Sequence, residues 1–123
     1  PVLPVNKYAW SKLGGECAVH LLDDYLIIRT SFGEKMFPYD KAFTDHYTSR
    51  ESVDVIAKKI VTAFKVGASG TLHLGHRRRS VYQYAKALGG KKIIGKMSIH
   101  DVPFIVPKDT SLNTARYQKL KNI

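Results

Sequence analysis

The sequence has 123 residues, of which 44% are hydrophobic and 24% charged, so it is sized for one modest globular domain. Seven Tyr, five Phe and one Trp can furnish a core, which argues against wholesale disorder, and no stretch approaches the roughly 18 apolar residues of a membrane span. The single cysteine, Cys17, excludes an internal disulfide framework and a multi-cysteine zinc site. It also indicates a reducing compartment, and we expect the protein to be cytoplasmic. The chain begins at Pro1 with no Met and no apolar leader, so we expect a processed chain or a piece of a longer one.

The net charge of +10 is concentrated in one part of the chain. No acidic residue lies between Asp54 and Asp101, and ten basic residues do: Lys58, Lys59, Lys65, Arg77, Arg78, Arg79, Lys86, Lys91, Lys92 and Lys96. Such a segment attracts anions, which include nucleic acid, nucleotide phosphates and acidic partners. The alternative is a solvated surface that keeps a small protein soluble.

A first helix is predicted over residues 7–22, with Asn6 as its N-cap. Its inner side repeats at helical spacing and consists of Ala9, Leu13, Cys17 and Leu21. We therefore expect Cys17 to be inert core. Gly14 and Gly15 each cost a helix about 1 kcal/mol relative to Ala, so the helix needs tertiary contacts there, such as close packing.

A buried strand is predicted after the turn at Asp23 and Asp24. Residues 25–28 (YLII) form a continuous apolar run, which is typical of a parallel sheet. Thr30 and Ser31 follow at its carboxyl end, where open α/β sheets place ligand sites.

Helices and strands then alternate to the end of the chain. Residues 32–48 are irregular, and a second helix over 53–64, capped by Ser49 or Ser52, has an expected inner face of Val53, Ile56, Ala57, Ile60 and Phe64. The remaining predictions are a strand at 71–74, a loop at 76–79, a helix from the capping-box pair Ser80 and Gln83 to Leu88, a strand at 93–94 and a helix at 114–120 capped by Asn113. This alternation favours the α/β class.

Tyr8 and Lys12 are four residues apart at the start of the first helix, so they share one face. An ammonium close to a phenol favours the phenolate, and such a tyrosine can act as a general acid or base near neutral pH. The spacing also occurs by chance at the start of an amphipathic helix.

Residues 4–16 (PVNKYAWSKLGGE) resemble the active-site helix of the extended short-chain dehydrogenase/reductases, whose pattern is roughly P-x-N-x-Y-x-x-S-K-x-x-G-E. The nearest branch in character is that of the dTDP-4-dehydrorhamnose reductases, which act on nucleotide sugars. Four further segments are similar to family motifs in the same order: 26–31 (LIIRTS), 52–57 (SVDVIA), 70–74 (GTLHL) and 107–114 (PKDTSLNT).

The resemblance implies the C-terminal portion of a Rossmann-like NAD(P)-binding fold with a small substrate-binding subdomain, lacking the N-terminal Gly-rich half. Residues 1–31 would carry the active-site helix and the following core strand, and residues 32–123 the nucleotide-sugar region. The implied function is part of an NAD(P)-dependent nucleotide-sugar reductase or epimerase. Its partners would be the nucleotide-sugar substrate, the N-terminal half of the fold and, in a homodimer, a second copy.

The resemblance also implies roles for individual residues. Tyr8 would move a proton at the sugar oxygen during hydride transfer, and Lys12 would hold the nicotinamide ribose and tune Tyr8. Thr30 and Ser31 would lie beside the nicotinamide end of the cofactor.

The chain departs from the family pattern in three ways. No G-x-x-G-x-x-G occurs, so the chain alone should bind NAD(P) poorly, because the pyrophosphate has no cradle. The stretch between Ser31 and Ser52 is short, which suggests that a substrate-contacting helix is absent. Val106 stands where the family often has an Arg that reaches substrate phosphate, and Lys108 is a candidate substitute.

Arg77, Arg78 and Arg79 precede a predicted helix start, where cations oppose the helix dipole. An anion would relieve this arrangement, and guanidinium forks suit a diphosphate, so we expect this loop near the substrate diphosphate. Solvated surface arginines are the alternative.

Two other functions compete with the enzyme. The chain could be a non-catalytic regulatory or binding member of the same family, which the absent half and the short loop favour. It could also be a basic nucleic-acid-binding domain using residues 55–100, which is less expected because the aromatic residues there are not interleaved with bases. The five histidines show no metal-ligand spacing, so no metal is expected.

Overall fold

The computed structural model describes residues 3–90 and 93–122. Pro1, and Lys91 and Lys92 of the basic segment, lie outside these ranges. Four α-helices occur in the described ranges: α1 (Lys7–Val19), α2 (Val53–Lys65), α3 (Val81–Ala87) and α4 (Ala115–Lys121). The strands are β1 (Leu26–Thr30), β2 (Phe32–Gly33), β3 (Lys41–Phe43), β4 (Tyr47–Thr48), β5 (Glu51–Ser52), β6 (Gly70–Leu74), β7 (Arg79–Ser80) and β8 (Gly95–Met97). The fold is mixed α/β, as the sequence predicts.

The centre of the fold is the parallel pair β1–β6, in which Ile27 lies opposite Thr71 and Ile28 opposite Leu72. Leu72 and Leu74 of β6 are fully buried and pack with Ala63 of α2 and Tyr117 of α4. The predicted parallel pairing of the first strand is therefore confirmed. Its carboxyl end, at Thr30, leads directly into the short strands that follow.

Helix α1 begins as predicted, because the Asn6 side chain accepts a hydrogen bond from the Ala9 amide at 2.8 Å. It ends at Val19 rather than at residue 22, and no residue of α1 is buried by the described part of the chain. Cys17 is exposed, so the expectation of an inert core cysteine is wrong for this chain. A side chain at Gly14 would meet no atom within 4 Å, so the expected close packing is not made by these residues either.

Helix α2 faces the core with a different side from the predicted one. Ile56 and Ala63 are buried, whereas Phe64 is 80% exposed. The inner side includes Lys59, whose Nζ donates to the Gly75 carbonyl at 2.7 Å. Because Lys59 is charged, the apolar periodicity of the sequence does not include this position in the inner face of α2. Burial lowers the pKa of the Lys59 ammonium.

The segment predicted to be irregular contains three short strands. Pairs β2–β5 and β3–β8 are parallel, and β4–β7 is antiparallel. The C-terminal segment joins this region, because the Tyr47 amide donates to the Lys108 carbonyl at 2.8 Å and the Thr110 amide donates to the Tyr47 carbonyl at 2.9 Å. These strands of two or three residues bring together segments that are distant in the chain.

The last helices follow local signals closely. At the start of α3, Ser80 Oγ accepts from the Gln83 amide and the Gln83 side chain accepts from the Ser80 amide, so the predicted capping box is confirmed. The strand expected at 93–94 lies instead at Gly95–Met97, and α4 has Thr114 rather than Asn113 at its N-cap. Asn113 still contributes, because its Oδ1 accepts from the Ala115 amide at 3.0 Å. None of the helices in the described ranges has the length and apolar character needed to cross a bilayer.

Candidate functional site

A pocket of about 660 Å³ lies between the short strands and the C-terminal segment. Strand β3 supplies Phe43, strand β8 supplies Met97, and the loops supply further rings at Phe37, Tyr39 and Phe104. The rings of Phe37 and Tyr39 pack edge to face with centroids 5.7 Å apart. The walls are therefore rich in aromatic groups, as in pockets that take flat or apolar ligands.

A few polar groups converge on the same pocket. Arg50, in the turn between β4 and β5, directs its Nε at Ser31 Oγ at 3.4 Å. His46 and Thr110 meet across the pocket wall, with His46 Nε2 and Thr110 Oγ1 3.1 Å apart. Burial, and next the positive charge of Arg50, lower the pKa of His46, so that its imidazole is neutral at neutral pH. The pocket combines aromatic walls with the cations Arg50 and Lys41 and the carboxylate of Asp40.

Tyr8 and Lys12 share an exposed face of α1, as their spacing predicts. Lys12 Nζ lies 5.5 Å from the centroid of the Tyr8 ring, and Tyr8 is 70% exposed. Both are open to a ligand, and neither lines the pocket.

The two residues after the core of β1 have different surroundings. The Thr30 hydroxyl is buried and has no hydrogen-bond partner among the described residues. Ser31 lies on the pocket wall. The end of β1 thus links the helix that carries Tyr8 to the pocket.

The arginine loop lies apart from the pocket lining. Arg78 Nε donates to Asp109 Oδ2 at 2.7 Å, and its guanidinium lies 3.8 Å from the centroid of the Tyr47 ring. Arg79 belongs to β7 rather than to a loop, and its Nη2 lies 3.2 Å from Glu51 Oε1. Arg77 and Lys108 are exposed. The substrate-binding role of these four residues stays a prediction.

The sequence interpretation named Ser31 but missed Arg50 and His46 among the polar groups of the pocket. Arg50 lies outside the acid-free segment, and His46 has no neighbour at metal-ligand spacing. The available signal was the density of aromatic residues in the stretch assigned as irregular, which includes Phe37, Tyr39 and Phe43. In the described ranges, no cluster of His, Cys, Asp or Glu is arranged to hold a metal ion.

Comparison of the sequence with models of protein families and with curated proteins gives no match in either case. Comparison of the structure with solved structures gives matches. A hypothetical dTDP-4-dehydrorhamnose reductase from Sulfolobus tokodaii is 25% identical with a TM-score of 0.69, over 97% of this chain and 50% of that one. The dTDP-4-dehydrorhamnose reductase from Yersinia enterocolitica is 22% identical with a TM-score of 0.62, over 99% of this chain and 57% of that one.

The structural neighbours are dTDP-4-dehydrorhamnose reductases. The chain spans little more than half the length of each. Nearly all of it aligns, so the fold corresponds to one part of such a protein. This agrees with the branch that the sequence motifs indicate, whereas membership of the wider dehydrogenase family stays a prediction.

Proposed function

We propose that this chain is the catalytic-helix and substrate-binding part of an NAD(P)-dependent nucleotide-sugar reductase or epimerase, similar to dTDP-4-dehydrorhamnose reductase. The observation that carries the proposal is the alignment of 97% of the chain with half of such a protein at a TM-score of 0.69. The exposed Tyr8–Lys12 pair, on the helix that precedes β1, supports it independently.

In this proposal Tyr8 transfers a proton to or from the sugar oxygen as a general acid or base. Its hydroxyl lies on an exposed face, where a ligand can reach it. The Lys12 ammonium lies beside the Tyr8 ring and binds hydroxyl groups of the cofactor ribose. Arg29 positions α1, and therefore this pair, against the end of β1 through its two hydrogen bonds to Glu16.

The residues at the end of β1 fit the nicotinamide end of a dinucleotide. The Thr30 hydroxyl is buried and lacks a partner among the described residues, and it would have to turn outward to hydrogen-bond a carboxamide group. Ser31 stands next to it on the pocket wall. When bound, the dinucleotide supplies or accepts the hydride. Since the sequence has no Gly-rich turn, we propose that its pyrophosphate is held by polypeptide outside this chain.

The aromatic pocket is the proposed place of the nucleotide sugar. Its rings at Phe37, Phe43 and Phe104 offer stacking surfaces for a base, and Ser31 brings its wall to the end of β1. We propose further that the assembled enzyme is a cytoplasmic homodimer. The exposed apolar groups of α1, among them Trp10, give a second copy or the cofactor-binding half a surface to cover.

Substitution of Tyr8 tests the catalytic part of the proposal. In the polypeptide that joins this chain to its cofactor-binding half, Tyr8→Phe should lower NADPH oxidation with a dTDP-4-dehydro sugar by about 100-fold or more. Affinity for the nucleotide sugar should be unchanged. Tyr82→Phe is the matched control and should retain turnover, because Tyr82 is partly exposed beside Lys86 and Lys96 and does not line the pocket. Normal turnover by Tyr8→Phe would reject the catalytic role.

A further inference from the structure

We propose that Arg50 and His46 form the anion-binding end of the pocket and hold the diphosphate of the bound nucleotide sugar. This inference rests on the proposed function and deepens it. It assigns the charge recognition to two residues outside both the arginine loop and the C-terminal segment.

Arg50 differs from the neighbouring arginines in its partners. Arg29, Arg78 and Arg79 each contact a carboxylate, at 2.7, 2.7 and 3.2 Å. Within the described ranges, no carboxylate lies at ion-pair distance from Arg50, and its side-chain hydrogen bond is the long one to Ser31 Oγ at 3.4 Å. Arg50 is exposed on the pocket wall, so its guanidinium is open to a ligand there.

The backbone around Arg50 is held in place, which leaves its side chain as the adaptable group. Its amide donates to the Thr48 hydroxyl at 3.0 Å, and its carbonyl accepts from Arg79 Nη2 at 3.1 Å. Thr48 is buried. A guanidinium fork on such a support suits the paired oxygens of a phosphate group.

His46 becomes a second cation of this site when its imidazole is protonated. Charged groups face it from each element packed against it: Arg50 from the turn after β4, Asp109 from the C-terminal segment and Asp45 from its own turn. Lys41 and Asp40 line the same pocket from β3 and the residue before it. Burial and Arg50 lower the pKa of His46, and a bound diphosphate would raise it again. By linkage, affinity for the anion increases as the pH falls and His46 becomes protonated.

Calorimetric titration of the 123-residue chain with dTDP-glucose tests the site. Each phosphate of this probe carries one ester bond, one anhydride bond and a single strongly acidic oxygen, so its charge is constant over the range used. Arg50→Gln should weaken binding by about tenfold or more. Arg50→Lys should lie between wild type and Arg50→Gln, because it retains the charge and loses the fork. Lys65→Gln removes an exposed cation of α2 and should bind as wild type. Wild-type affinity for dTDP-glucose in Arg50→Gln would overturn the inference and leave the proposed function standing.

Thymidine and inorganic pyrophosphate separate the two proposals. Thymidine affinity should not change in Arg50→Gln, because the nucleoside carries no phosphate. If wild type binds pyrophosphate more tightly than Arg50→Gln does, while dTDP-glucose does not bind, the result supports the anion site and contradicts the nucleotide-sugar function. If neither binds, the anion site falls as well.

The pH profile tests the part of His46. Affinity for dTDP-glucose should rise several-fold from about pH 8 to about pH 5.5 in wild type and in Lys65→Gln. His46→Gln should remove this rise and keep the effect of Arg50. Persistence of the rise in His46→Gln would overturn the role of His46. Far-ultraviolet circular dichroism of each variant verifies that its helix content is unchanged.

Discussion

Arg29 donates two parallel hydrogen bonds to the carboxylate of Glu16, from Nε to Oε1 at 2.8 Å and from Nη2 to Oε2 at 2.7 Å. Arg29 lies in β1 and Glu16 in α1, so this bidentate pair spans the junction between the helix and the central strand. No residue of α1 is buried by the described part of the chain. The position of the Tyr8–Lys12 face relative to β1 therefore depends strongly on this ion pair and on the edge-to-face contact of His20 with Tyr25, at 4.7 Å.

Glu16→Gln should loosen α1 while leaving the core intact. The side chains are 22% and 48% exposed, so the loss of stability should be small, about 0.5–1 kcal/mol. The clearer effect should be faster amide exchange over α1, measured by hydrogen–deuterium exchange with Glu34→Gln as the surface control. Equal exchange over α1 in the two variants would contradict the positioning role.

The same ion pair gives α1 a defined pH dependence. The hydrogen bond from Arg29 lowers the pKa of Glu16 below its ordinary value. A lowered folded-state pKa means that the carboxylate contributes stability above its unfolded pKa and loses it as the pH falls through the folded one. Exchange over α1 should therefore accelerate in wild type only as the pH falls below the ordinary Glu pKa of about 4.3, and it should stay pH-independent, apart from intrinsic exchange, in Glu16→Gln.

The sequence predicts well those parts of the fold that depend on residues close together in the chain, such as helix caps and a buried strand. Asn6 and the pair Ser80–Gln83 mark helix starts because a cap is made by residues only three apart. The apolar run around Ile27 marks the central strand because burial on both faces removes polar residues from it. Each of these signals lies within one short segment.

The pocket could not be predicted in the same way. His46 and Arg50 become its polar groups through β3–β8 and β4–β7, which pair residues 31 to 54 positions apart over only two or three residues. Strands of that length have no periodicity to detect. On α2, the charged Lys59 lies on the side that packs against the core, so apolar periodicity predicted the wrong inner face for this helix. The misassignments arise where contacts are non-local.

Asp109→Asn should release the C-terminal segment from β4 and β7. Hydrogen bonds from Ser111 and from Arg78 hold the pKa of the Asp109 carboxyl well below its usual range. The interaction is therefore present above the ordinary Asp pKa of about 3.9 and is lost only as the pH falls through the much lower folded value. In the variant, the amides of Tyr47 and Thr110, which join the two segments, should exchange faster at neutral pH.

Asp24→Asn, in the exposed turn after α1, is the control for that experiment. It should leave the Tyr47 and Thr110 amides as protected as in wild type. Unchanged protection of these amides in Asp109→Asn would show that the backbone hydrogen bonds alone hold the segment.

Gly75→Ala should lower the free energy of unfolding, and Gly14→Ala should raise it. A Cβ at Gly75 would lie 2.6 Å from the Ser49 carbonyl oxygen, and that oxygen already accepts from the His76 amide at 2.9 Å. The end of β6 would have to shift, at a cost of about 1–3 kcal/mol. A Cβ at Gly14 meets nothing within 4 Å and improves helix propensity, which should stabilise the chain by up to about 1 kcal/mol.

Urea unfolding of the two variants measures this difference directly, and destabilisation by both would contradict the open surroundings of Gly14. The comparison also tests what covers α1. In the polypeptide that includes the cofactor-binding half, or in a homodimer through α1, a neighbouring chain packed on Gly14 would meet the added methyl group. Gly14→Ala would then stabilise the isolated chain and destabilise the assembly, because the same methyl group that favours the helix would obstruct its partner.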